Sequence, residues 1–200
     1  LFILISGICC RFSRNNWKRG GLLLGISLAM TLVLWLFMRD SVIWYGVLHF
    51  LATAILLYAL LHRLLDRIPP AVGVPVFAIL TLLFWCVSPS KGGFIGIPGL
   101  FTLDIPAAWQ SCRWLFPLGL ANGQSADYFP FLQWIWVFLM GVCLGRWAAE
   151  GHFPAFMSRP HAPWLSAIGR YTLWIYLAHQ PVIYGICWLL HTIGLIPAAG

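Results

Sequence analysis

Uninterrupted apolar runs of bilayer-crossing length dominate this chain, and they leave few folds open. A hydrocarbon core of ~30 Å takes about 20 apolar residues in a helix, and every backbone polar group inside it has to be satisfied within protein. Helices meet that condition segment by segment. The runs read as six helices, over about 1–12, 21–38, 41–61, 71–87, 129–147 and 165–190. The expected fold class is all-α, a polytopic transmembrane helix bundle. Of 200 residues, 61% are hydrophobic and only 8% are charged, against about 25% charged in an ordinary soluble domain. That composition excludes a soluble globular protein.

Charge supports the same reading. The net charge is +7, yet the basic residues stand at the ends of apolar runs and form no single patch interleaved with aromatics, so nucleic acid is not an expected partner. Placing the turn with Arg11, Arg14, Lys18 and Arg19 in the cytoplasm makes later turns alternate sides. Arg63, Arg67, Arg146, Arg159 and Arg170 then join it inside, while Arg39, Lys91 and Arg113 fall outside, as the positive-inside rule expects. The C-terminus and the connection over 88–128 face outward in that arrangement. The chain opens on Leu1 within an apolar run, so the expectation is one transmembrane domain over 1–200, truncated at its N-terminus. Six cysteines without C-x-x-C spacing indicate neither a disulfide framework nor a zinc site.

Glycines and prolines, among them Gly92, Gly93, Pro98, Gly99, Pro106 and Pro117, exclude one continuous helix over 88–128. Phe94, Ile95, Phe101, Trp109, Trp114 and Phe116 make that stretch too apolar for a solvated loop. It reads either as interfacial or re-entrant pieces forming an outer lid, or as an aromatic belt that anchors the bundle. Gly21 with Gly25 and Gly141 with Gly145 are small-xxx-small pairs, which close helix packing explains.

Polar side chains inside the apolar runs are the candidate chemistry, because each is costly in hydrocarbon. In the last run Thr172, Tyr176 and His179 share a helical face beside Gln180, and Pro181 frees the carbonyl of Leu177. This is either a binding notch or an interhelical hydrogen-bond cluster. Tyr45, His49 and Thr53 repeat the stripe in the third run. Counted from Ser41 at ~1.5 Å per residue, His49 lies about 12 Å below the outer end, comparable in depth to His179. Asp127, at the mouth of the fifth helix, either caps that helix or orients and deprotonates an arriving amine or hydroxyl. Arg170 lies near the inner interface, where it either snorkels or joins Arg11 and Arg14 in holding a phosphate-rich ligand.

Four stretches, in order, resemble a known family. They are Leu4–Ile8 running into Arg11–Asn16 and Lys18–Gly20; Tyr45–Leu51; Asp127–Trp134 leading to Gly141 and Leu144–Arg146; and Gly169–Pro181. Together they resemble the catalytic membrane domain of heparan-alpha-glucosaminide N-acetyltransferases, in particular its bacterial members. The resemblance implies a multi-pass protein of the bacterial inner membrane that takes acetyl-CoA from the cytoplasm as acyl donor. It implies an amino sugar or glycan as acceptor at the outer face, N- or O-acetylation, and no metal. It also places the family's active-site histidine in a loop ahead of Leu1, so the piece in hand is expected to be inactive by itself.

On that reading Arg170, Arg11 and Arg14 bind CoA phosphates, and His179 and Gln180 hold the thioester carbonyl or pantetheine amide. His49 lines the cavity, and Asp127 positions the acceptor. Lipid surrounds the bundle, and a homo-oligomer is compatible with it. Two rival classes stay open: a small-solute transporter or channel using the two stripes as its path, and a membrane subunit without chemistry of its own. The lack of an inverted repeat and the few membrane carboxylates weigh against the transporter.

Overall fold

The computed structural model describes residues 1–37, 39, 42–86, 94–97, 101–121, 125 and 127–151, together with Ile175, Ala178, Val182, Gly185, Ile186, Leu189, Leu190 and Thr192. The chain divides into two units, Leu1–His152 and Phe153–Gly200.

The first unit is a helical membrane bundle. Its helices are α1 (Phe2–Phe12), α2 (Asn16–Phe37), α3 (Val47–Leu65), α4 (Pro70–Cys86), a one-turn α5 (Ala107–Gln110) and α6 (Phe131–Ala149). Of these, α2, α3 and α6 are long and apolar enough to cross a membrane. Local chemistry sets their ends. Asn15 caps α2, its Oδ1 accepting the Lys18 amide at 2.9 Å, and Pro70 opens α4 at the first helical position, where a missing N–H costs nothing.

Antiparallel neighbours alternate in direction. Gly20 of α2 packs on Ile55 and Leu56 of α3, and Gly73 of α4 packs on Cys143 of α6. In contrast, α1 and α6 run parallel and almost touch backbone to backbone. A Cβ on Gly7 would run into the Phe138 carbonyl, one on Gly141 into the Leu4 carbonyl, and one on Gly145 would stand 2.8 Å from the Ile8 oxygen. The pair Gly141 and Gly145 therefore does what its spacing suggests. Gly21 and Gly25 do not: a Cβ on either meets nothing within 4 Å among the described residues. The packing glycine of α2 is Gly20, one residue earlier and on another face.

These contacts enclose a core in which Phe50, Ala54, Ile55 and Tyr58 of α3 meet Phe77, Phe138 and Val142. Phe50 and Phe138 are fully buried. Most of the remaining apolar surface lies on the outside, including Leu22, Leu28 and Leu32 of α2, as expected where lipid is the solvent.

Between α4 and α6 the chain forms a hairpin, β1 (Phe94–Ile97) with β2 (Phe101–Asp104), paired antiparallel with Phe94 opposite Asp104 and Ile97 opposite Phe101. Gly96 holds φ +143°, and a Cβ there would strike the Phe101 carbonyl, so this position admits no side chain. After α5 and a 3-10 turn over Arg113–Leu115, the chain is tied to the start of α6: the Phe131 amide donates to the Pro117 carbonyl at 2.8 Å.

In the second unit the described residues are helical. Ile175, Ala178, Val182, Ile186 and Leu189 follow one another at steps of three and four and form one exposed face.

The third helix departs from its expected bounds. It starts at Val47, not Ser41, because Val42–Gly46 is non-helical, with a bend at Trp44, and Tyr45 bridges to Tyr128 in parallel. Gly46 permits that entry, since a Cβ there would stand 2.5 Å from the Asp127 carboxylate. His49 consequently lies in the first turn of α3, ~3 Å from its start, and not about 12 Å down.

The α1–α6 contact yields a direct test. Gly141→Ala should destabilise the protein by about 1–3 kcal/mol, the usual cost of overpacking, while Gly21→Ala and Gly25→Ala stay within about 0.5 kcal/mol. Thermal unfolding in detergent distinguishes them, and equal midpoints for all three would contradict the packing described.

Candidate functional site

Polar groups gather at the two ends of α3. At its N-terminal end the organising group is Asp127, whose Oδ2 accepts the Val47 amide at 3.0 Å. Val47 is the first residue of α3, so its N–H has no partner within the helix. Asp127 thus caps a helix, but α3 and not the α6 that follows it in sequence. Ser125 reinforces the approach: its hydroxyl donates to the Asp127 carbonyl at 2.6 Å and accepts the Trp44 amide at 3.2 Å. The Phe129 amide donates to the Tyr45 carbonyl at 3.2 Å.

Within this frame Tyr45, His49 and Thr53 do form a continuous cluster, although Tyr45 precedes the helix. The Tyr45 hydroxyl lies 2.7 Å from Thr53 Oγ1, and the Tyr45 and His49 rings are 6.0 Å apart. Thr53 also lies 2.9 Å from the carbonyls of His49 and Phe50. His49 is 4% exposed. Its Nε2 is 3.2 Å from Thr31 Oγ1 of α2, and Nδ1 is buried with no partner among the described residues. Tyr128 donates to the Phe116 carbonyl at 2.6 Å and stacks on the Phe116 ring at 4.5 Å. Burial pushes the Tyr45 and Tyr128 phenols up to about 12, with the nearby Tyr45 adding to the effect on Tyr128.

At the opposite end a cavity of about 380 Å³ is lined by Arg11, Arg14, Asn16, Trp17, Tyr58 and His62, among others. It brings together the last turn of α1, the first turn of α2 and the last turns of α3. The Asn16 side chain donates to the Cys10 carbonyl at 2.9 Å and leaves a buried Oδ1 without a partner among the described residues. Arg11 pairs with Asp66 at 2.7 Å, both half-buried. Arg146 donates to the carbonyls of Asp66 at 2.6 Å and Ile68 at 3.3 Å, which pins α6 to the α3–α4 turn. Arg14 and the Asp66-paired Arg11 thus stand beside the first turn of α2 on the wall of this cavity. The other basic residues of this end, Lys18, Arg19, Arg63 and Arg67, extend the positive field.

Of the residues singled out from sequence, Asp127 and His49 share the first end, and Arg11 and Arg14 share the second. His179, Gln180 and Arg170 lie outside the described residues. Sequence reasoning passed over Thr31, Tyr58, Asn16, His62 and Asp66. Thr31 was detectable as a hydroxyl among leucines, and Tyr58 with His62 as an i, i+4 polar pair. The pairing of Arg11 with Asp66, 55 residues on, has no local signature.

The architecture defines a polytopic helical membrane protein with a basic cavity at one end and a capped histidine cluster at the other. The chain matches, over residues 1–181, the family described as Heparan-alpha-glucosaminide N-acetyltransferase, catalytic, and it belongs to that family. Comparisons with curated proteins and with solved structures gave no match.

Two measurements check this geometry. Asp127→Ala should lose about 1 kcal/mol of stability, the usual value of an N-cap, and Asp127→Asn, which keeps an acceptor oxygen, should lose less; equal losses would argue against the cap. The raised phenol pKa values favour the neutral form in the folded protein. Stability should therefore be fully present below the ordinary tyrosine value of 10 and fall as the pH rises toward about 12. Tyr45→Phe should flatten that fall, and an unchanged alkaline profile would contradict the burial of its hydroxyl.

Proposed function

We propose that the protein is a membrane acetyltransferase that takes acetyl-CoA at the Arg11–Arg14 end and delivers the acetyl group to an amino sugar or glycan at the Asp127 end. The observation that carries this reading is the basic cavity, since family membership supplies the reaction class and the cavity supplies a seat for the donor. Arg14, together with Arg11, which lines the same cavity, holds CoA phosphates. Arg170, His179 and Gln180, which lie outside the described residues, are the further candidates for contacts with the donor that the family resemblance offers.

The two ends are linked by α3 itself. From His62 to His49 is thirteen residues, or ~20 Å along the axis. The pantetheine arm is the part of the donor that covers this interval, bringing the thioester to the level of His49. There the acceptor nitrogen or oxygen attacks the carbonyl carbon, the new C–N or C–O bond forms, and the C–S bond breaks. The proton leaves the acceptor, and the sulfur departs as the CoA thiol. Asp127, with Oδ2 held by α3, offers Oδ1 to the arriving amine or hydroxyl and so orients it.

On this account the basic turn of Arg11–Arg19 faces the cytoplasm, the Asp127 end and the C-terminus face outward, and the host membrane is the bacterial inner membrane. The clustering of Arg11, Arg14, Lys18, Arg19, Arg63, Arg67 and Arg146 at one end of the helices supports that orientation.

The test uses the full-length protein, purified in detergent, with radiolabelled acetyl-CoA and glucosamine or a glycan. Label should move to the sugar, and Arg14→Gln should raise the KM for acetyl-CoA about tenfold, the loss of one charge-assisted contact, with kcat little changed. His179→Ala should insert normally and lose transfer. Absence of both CoA binding and label transfer in the unaltered protein would end the enzyme reading.

A further inference from the structure

The β1–β2 hairpin is amphipathic, and its apolar face is left exposed. Alternate residues of a strand point to opposite faces, so Phe101 and Leu103 share one face of β2, and Thr102 and Asp104 the other. All four are exposed, Phe101 to 45% and Leu103 to 67%. A two-stranded hairpin is marginal by itself and needs a surface to lie on. The apolar exposure continues beyond it: Trp109 of α5 is 51% exposed and Trp114 of the 3-10 turn 90%, next to the exposed Arg113. Contiguous apolar surface of this kind marks a site where a partner sits.

Ties to α6 place this segment at the membrane boundary. Tyr128 holds the Phe116 carbonyl at 2.6 Å and the Phe131 amide holds the Pro117 carbonyl at 2.8 Å. Trp114, two residues before Phe116, therefore stands beside the start of a membrane-crossing helix. The same end carries an aromatic belt. Trp35, Trp44 and Trp85 are exposed there, with the Arg39 guanidinium 5.5 Å over the Trp35 ring, and Trp85 meets Trp134 of α6 edge-on. Indoles concentrate at membrane–water interfaces, which satisfy both the apolar ring and the polar N–H. The apolar face of the hairpin segment continues that belt. Its depth follows from two opposed limits. An open hairpin leaves backbone groups unpaired along its outer edges, which hydrocarbon does not tolerate, while Phe101, Leu103 and Trp114 are disfavoured in water. The interface meets both limits, because water and headgroups take the edges and the acyl boundary takes the side chains.

We infer that the hairpin, α5 and the 3-10 turn lie flat in the lipid–water interface at the Asp127 end, with Phe101, Leu103, Trp109 and Trp114 seated among phospholipid headgroups and Thr102 and Asp104 turned to water. The partner of this surface is the bilayer itself. Arg113, beside Trp114, stands where a guanidinium meets lipid phosphates. The segment is then neither a re-entrant loop nor a free-standing lid. Because Tyr128 and Phe131 tie it to the turn that bears Asp127, a segment seated in lipid braces that turn against the bilayer. The inference stands apart from the acetyl-transfer reading and is tested without activity.

The experiment is fluorine NMR on the full-length protein, labelled with fluorotryptophan, in phosphatidylcholine nanodiscs. Trp109 and Trp114 are assigned by the resonances lost in Trp109→Phe and Trp114→Phe, and Leu103→Trp and Thr102→Trp add a probe on each face of β2. A nitroxide on the lipid headgroup should erase the signals of Trp109, Trp114 and Leu103→Trp, while a nitroxide at the acyl-chain end should leave them. A gadolinium chelate in the water should erase the Thr102→Trp signal before that of Leu103→Trp. Loss of the Trp114 and Leu103→Trp signals to the chelate, with the headgroup nitroxide sparing them, would mean a lid in water. Loss to the acyl-end nitroxide would mean a re-entrant course, and response to no reagent would mean that protein covers the face. Each of these three results would overturn the inference, and Trp109 and Trp114 of the unaltered protein carry the test if a β2 variant fails to fold.

Discussion

The contact between the Asp127 carboxylate and the first amide of α3 organises the whole of one end of the bundle. Without it, the helix would begin with an unsatisfied donor in an apolar setting, where such a group is costly. With it, the non-helical Val42–Gly46 segment and the lead-in to α6 are drawn together, side by side at Tyr45 and Tyr128. Gly46 is part of the same device, because any side chain there would displace the carboxylate. The position of His49 follows: it sits in the first turn of α3, within reach of Thr31, only because the helix starts where Asp127 meets it.

The other end is held by arginines. Arg11 reaches the Asp66 carboxylate and Arg146 the Asp66 carbonyl, so one turn between α3 and α4 anchors both α1 and α6. The glycine contact between α1 and α6 brings those two helices close enough for this to happen. A helix fixed at both ends acts as a ruler, and α3 keeps the basic cavity and the histidine cluster at a set separation. For a transfer that starts on one side of a membrane and ends on the other, a fixed span is the property that matters most.

Much of this was legible from residue order. Long apolar runs announced the helices because hydrocarbon leaves the backbone no other way to satisfy itself, and Gly141 with Gly145 announced a close packing that α1 fills. The bounds of α3 were not legible. Nothing near Ser41 says that an aspartate 80 residues downstream will cap the helix at Val47, and an apolar stretch looks the same whether helical or extended. Gly21 and Gly25 misled for a related reason: spacing tells which residues share a face, but not which face meets a neighbour. The stripe of Tyr45, His49 and Thr53 was visible by periodicity, yet its partner Thr31 was not, since pairing between helices is set by tertiary packing. Arg11 and Arg14 stood out as charges at a helix end, whereas the cavity they line needed Tyr58 and His62 to be folded against them.

The central claim is that the acetyl group enters at the Arg11 end and leaves at the Asp127 end. Sealed proteoliposomes holding the full-length protein, with orientation read from protease access to a terminal tag, test it directly. Labelled acetyl-CoA is supplied to one face and glucosamine to the other. The account predicts labelled sugar only when acetyl-CoA meets the face bearing Arg11 and Arg14. Equal transfer from either face, or transfer only when the donor is supplied at the Asp127 face, would contradict it.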